Sequence, residues 1–102
     1  MDNLQQSLQR TIRALEALSE KNPPQVERVE ELLDQLFQQK IDLANLNTNQ
    51  AATPYQQAHQ AMGLAASRCE KAAKDPGQIK EALPAVTDAI GKLTKLLNHV
   101  LT

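Results

Sequence analysis

Ile79, Leu83, Val86, Ile90, Leu93, Leu97 and Val100 recur at spacings of four and three. On an α-helix they lie along one side as an apolar stripe. Ala82, Ala89 and Leu96 widen that stripe on one flank, which asks for more than one neighbouring helix. Three further stretches carry the same periodicity. Over 3–21, Leu4, Leu8, Ile12, Leu15 and Leu18 make a single stripe. Over 23–47 there are two stripes side by side: Val26, Val29, Leu33, Phe37, Ile41 and Ala44, and beside them Leu32, Leu36, Leu43 and Leu46. Over 54–74, Tyr55, Ala58, Met62, Ala65, Ala66, Cys69 and Ala73 share a thin face, through which a neighbouring backbone can come close.

The polar residues between these stretches read as helix starts. Asn22-Pro23-Pro24-Gln25, Thr53-Pro54-Tyr55-Gln56 and Asp75-Pro76-Gly77-Gln78 share one order: a capping residue, proline, any residue, glutamine. A capping oxygen accepts from the orphan N–H groups of a new helix, and proline suits the first helical position. Glutamine three residues past the cap can reach back to the cap's own N–H. Asn3 with Gln6 is a weaker form of the same signal. Pro84 lies inside the last stripe without disturbing its spacing, and neither Ala82 nor Leu83 is a good cap. One helix bent at Pro84, curving around the alanine face, is therefore expected rather than two. The polar stretch 47–52 is the longest irregular segment.

These elements predict one all-α domain over residues 1–102, with helices at about 3–21, 23–47, 54–74 and 77–101. Similar lengths and short connections give an up-down-up-down antiparallel four-helix bundle. Composition agrees: 2% aromatic residues, three glycines and no tryptophan suit helix and not a β-sandwich.

A net charge of −1 makes no electrostatic case for nucleic acid or an anionic membrane. The halves differ, with eight acids against five bases over 1–50 and four against six over 51–102. Arg68, Lys71, Lys74 and Lys80 have no aromatic residues among them, so nucleic acid is not expected. Cys69 is the only cysteine, so no internal disulfide can form. There is no basic-then-apolar leader and no apolar run near the ~20 residues of a membrane span, so a cytoplasmic protein is expected.

Candidate chemistry is sparse. Glu27, Glu30, Glu31 and Asp34 have no histidine beside them, and no Glu-x-x-His pair suits a di-metal bundle. No phosphate-cradling glycine loop and no nucleophilic triad is present. His99, near the chain's end with Lys95, suits the negative end of a helix dipole. Cys69 and Met62 fall on the apolar face of the third helix.

The segment Ala58-His59-Gln60-Ala61-Met62-Gly63-Leu64-Ala65-Ala66-Ser67 resembles the phospho-accepting motif of histidine-containing phosphotransfer domains of bacterial phosphorelays. The resemblance covers about ten residues, and those domains are four-helix bundles of this size. It implies a solvent-facing phosphoacceptor at His59, with Gly63 leaving room for a response regulator. Where the motif has a lysine to neutralise the phosphoryl group, this chain has Met62.

The function expected from the residues themselves is non-catalytic: a small interaction module acting as adaptor, chaperone-like binder or assembly subunit. It needs no cofactor, metal or small-molecule substrate. Four helices in a bundle need about one stripe each. The surplus leucines, Leu32, Leu36, Leu43 and Leu46 with Leu96 and Leu101, are therefore the expected surface for a partner helix or a homodimer.

Overall fold

A computed structural model describes residues 3–46 and 52–101, with the backbone alone for 99–101. Four helices occupy them: α1 (Leu4–Glu20), α2 (Val26–Ala44), α3 (Thr53–Lys74) and α4 (Ile79–Leu101). There is no strand among the described residues. The fold is an all-α four-helix bundle, 39 × 24 × 17 Å along its principal axes.

The helix ends follow local chemistry, with two departures from the expected starts. Asn3 makes a full capping box: Gln6 N–H donates to Asn3 Oδ1 and Asn3 N–H to Gln6 Oε1, both at 2.8 Å. Asn22, expected to start α2, instead ends α1. It takes a left-handed φ of 50°, and its N–H donates to Ser19 O at 3.0 Å. Asparagine tolerates that conformation, and Pro23 after it cannot continue the helix. α2 accordingly starts three residues later than expected, at Val26, with no side-chain cap. Thr53 does not cap either; it is the first residue of α3, which begins from Ala52. Asp75 does act as expected. Extended by the proline that follows it, it ends α3 and accepts from Gly77 N–H at 3.2 Å. A single 3₁₀ turn, Pro76–Gln78, leads into α4.

α4 continues unbroken through Pro84. The carbonyl that loses its helical donor there is that of Lys80, and both residues are exposed, so water can meet it.

The packed pairs are α3 with α4, α1 with α3, α1 with α2, and α2 with α4. The short connections hold α1 against α2 and α3 against α4 as hairpins. Across the seam between hairpins, contacts climb in the same sense. Thr11 meets Met62 and Lys21 Nζ meets Ala73 O; Arg28 meets Thr87 and Gln39 meets Thr94. Like-directed helices therefore touch across the seam. The expectation of antiparallel neighbours holds within each hairpin and not between them, and α2 and α3 lie across a diagonal.

α3 runs closest to its neighbours, α4 above all. Its face of Ala58, Ala65, Ala66, Cys69 and Ala72 is fully buried, and so are Ala82 and Ala89 of α4. Side chains that small let backbones approach. The volume left inside is filled by leucines: Leu4, Leu8, Leu15 and Leu18 of α1, Leu32 and Leu36 of α2, and Leu93 and Leu96 of α4. On the outside, Arg10 Nη2 and Nε grip Glu70 Oε1 and Oε2 at 2.5 and 3.0 Å, tying α1 to α3. Both side chains are over a third exposed, so water screens much of that pair.

Gly63 and Gly91 sit in mid-helix, and a Cβ added to either would meet nothing within 4 Å. Glycine there lowers helix stability without a packing reason. Gly63→Ala and Gly91→Ala should each stabilise the fold by about 0.5–1 kcal/mol. Thermal melts check this: each change should raise Tm, and a fall would mean that the helix faces are not as open as described.

Candidate functional site

The leucines expected at a surface are inside the bundle. Leu32, Leu36, Leu43 and Leu96 are at most 1% exposed, and Leu46 packs half-buried against the core. The side chain of Leu101 lies outside the described residues, as does that of His99. α2 shows solvent part of the other stripe instead: Phe37 is 41% and Ile41 57% exposed, and Ala44 is exposed too. The reason is electrostatic. Glu30, Asp34, Phe37 and Ile41 follow one another at spacings of four and three, so they share a line on the helix. Turning α2 to bury Phe37 and Ile41 would bury two carboxylates with them and expose three leucines. Burying an unpaired carboxylate costs far more than leaving two apolar side chains outside. Among the described residues Glu27, Glu30, Glu31 and Asp34 are all exposed, so Phe37 and Ile41 continue an acidic surface.

His59 is half-buried on α3, with its ring edge toward Tyr55 at a centroid distance of 6.1 Å. Met62, standing where the phosphotransfer motif has its lysine, is fully buried, and Thr11 Oγ1 lies 3.6 Å from its sulfur. That position supplies core volume and no cation. Gly63 is open, as a regulator-docking glycine would be, and equally as a glycine with no neighbour would be.

One opening lies between the C-terminal halves of α2 and α4. Gln39, Asp42, Asn45, Leu46, Thr94, Leu97 and Asn98 enclose about 490 Å³. Gln39 occupies a core position of the leucine stripe, 7% exposed. Its Nε2 donates to Ile90 O at 3.1 Å and to Thr94 Oγ1 at 3.0 Å. Its Oε1 is buried and accepts no hydrogen bond from the described residues. Asp42 stands at the rim, where one carboxylate oxygen accepts from Gln38 Nε2 at 3.0 Å. None of this was singled out from the sequence. The signal was available: a glutamine interrupts the run Leu32, Leu36, Leu43 at the place where an apolar residue belongs.

A second opening, between α3 and α4, is lined by Arg68, Lys71, Gln78 and Glu81, so a carboxylate already shares it with the cations. Among the described residues no three His, Cys, Asp or Glu side chains gather as a metal site, and no helix is long and apolar enough to cross a membrane. The chain matches no protein-family model, no curated protein and no solved structure.

Cys69 is fully buried on the inner face of α3. Burial pushes its thiol up from 9.0 to about 12, with the charge of Glu70 adding to the rise. An inert thiol, not a nucleophile, follows. Between those two values the unfolded chain releases a proton that the folded chain keeps, so stability falls as pH rises through that window and is intact below it. Denaturant unfolding above pH 9 should show the native chain losing up to about 1.4 kcal/mol per pH unit more than Cys69→Ala. The substitution changes no other titrating group, so parallel slopes would show that the thiol is not buried.

Proposed function

We propose that this chain is a non-catalytic helical module that binds a protein partner through the outer face of α2. The observation that supports it is the exposed line Glu30, Asp34, Phe37 and Ile41, acidic at one end and apolar at the other. Single exposed apolar residues are ordinary on a protein surface. Two in consecutive turns, continuing an acidic run, make a surface with direction. The occupant that fits is an amphipathic helix with two or three apolar residues at helical spacing and lysines or arginines at one end. Apolar anchors then meet Phe37 and Ile41, and the basic end meets Glu30 and Asp34. Leu64, 51% exposed on α3, lies across the bundle from α2 and takes no part.

A synthetic helix of leucine anchors with a lysine-rich end is the probe. Titrated into the isotope-labelled chain, it should shift the amides of residues 30–41 saturably and bind more weakly as salt is raised. Ile41→Asp should abolish those shifts while leaving the melting temperature within error, because that side chain is outside the core. Absence of saturable shifts would overturn the reading. So would light scattering that shows a dimer broken by Ile41→Asp, since a second copy would then cover the face.

A further inference from the structure

We propose that the cavity between α2 and α4 is a binding site for an organic cation: an ammonium or guanidinium group on a short aliphatic stem. The site is separate from the outer face of α2, and the inference stands without a partner there.

Gln39 carries the argument. Ile90 O can only accept, so the amide must turn its Nε2 toward it, and the 3.1 Å contact fixes that orientation. Oε1 is thereby left buried with no donor among the described residues. An orphaned acceptor destabilises the fold, and a leucine would continue the stripe without that cost. Oε1 itself is fully covered, so a ligand's N–H meets it only when the side chain of Gln39, a residue of the cavity wall, turns toward the opening.

Most other polar groups at the cavity offer acceptors, and the Asn98 amide offers both an acceptor and donors. The Thr94 hydroxyl donates to Ile90 O at 2.8 Å, so its oxygen turns no proton toward the opening. Asn45 gives one Nδ2 hydrogen to Ile41 O at 3.1 Å, and its Oδ1 adds an acceptor. Asp42 adds a carboxylate. Among the described residues no lysine or arginine lines the cavity. α2 ends here at Ala44, and the negative end of its dipole adds to the preference for positive charge. Leu46 and Leu97 supply apolar wall for a stem. A volume of about 490 Å³ lies in the range of small-ligand sites.

Two sources share this chemistry: a free polyamine, or the lysine or arginine side chain of a partner. Agmatine and putrescine stand for the first; N-acetyl-arginine and N-acetyl-lysine methylamides stand for the second. Each is titrated into the full isotope-labelled chain. Saturable shifts are expected at the amides of Thr94 and Asn98 and at the side-chain NH₂ of Gln39, with a millimolar Kd or tighter. Tighter binding of the capped amino acids assigns the site to a partner's side chain, and tighter binding of the diamines to a free ligand. Asp42→Asn should weaken binding about tenfold or more, as expected for losing a charged acceptor. Gln39→Leu should lose binding while melting at the same or a higher temperature, which separates a binding role from a structural one. Tetramethylammonium, charged but without an N–H, should not compete. The proposal is overturned if no probe gives saturable shifts, if tetramethylammonium binds equally, or if Asp42→Asn binds unchanged.

Discussion

The close approach of α3 to its neighbours is what the rest of the bundle is built around. It depends on buried residues too small to hold helices apart: Ala58, Ala65, Ala66, Cys69 and Ala72 of α3, with Ala82 and Ala89 of α4. Such a seam buries little area per residue, so it cannot be the main source of stability. What it does is set distances. With α3 drawn in against both α1 and α4, the space that remains must be filled by long side chains from the other three helices, and the leucines of α1, α2 and α4 fill it. α2, which meets α4 less closely than any other packed pair meets, is the outermost helix, held off by its own leucines.

The orientation of α2 then follows from a competition between its two apolar lines. One joins Leu32, Leu36 and Leu43 but contains Gln39; the other joins Phe37 and Ile41 but contains Glu30 and Asp34. An amide can be buried when its hydrogen is given a carbonyl, and Gln39 has Ile90 O and Thr94 Oγ1. Two carboxylates cannot be buried without partners. The uncharged line goes in. Both proposed surfaces follow from that choice. The rejected line stays outside as an acidic-to-apolar ridge, and the imperfect member of the accepted line, a residue of the cavity wall, buries an oxygen that no described residue meets.

Helix number, fold class and the closeness of α3 were legible from spacing alone, because period and side-chain size are local properties. The Asn3–Gln6 cap and the Asp75 turn were legible for the same reason. Asn22 was misread because one residue type serves two jobs: it accepts hydrogen bonds at a helix start and tolerates left-handed φ at a helix end, and Pro23 is compatible with both. The leucines of α2 were misplaced because counting apolar positions gave its two lines equal standing. Weighing the acids on one line and the single amide on the other would have separated them. The packing of like-directed helices across the seam was not legible, since no connection joins α1 to α3 or α2 to α4 directly.

Everything functional proposed for this chain depends on which way α2 faces. Single cysteines placed in a Cys69→Ala background, at Leu36, Phe37 and Ile41 in turn, read that directly through their rates of maleimide labelling. Cysteines at positions 37 and 41 should react at the rate of the unfolded chain, and one at position 36 only as fast as the protein opens. Rapid labelling at position 36 with protection at 37 and 41 would mean that the leucine line faces out, and would contradict the orientation on which both surfaces rest.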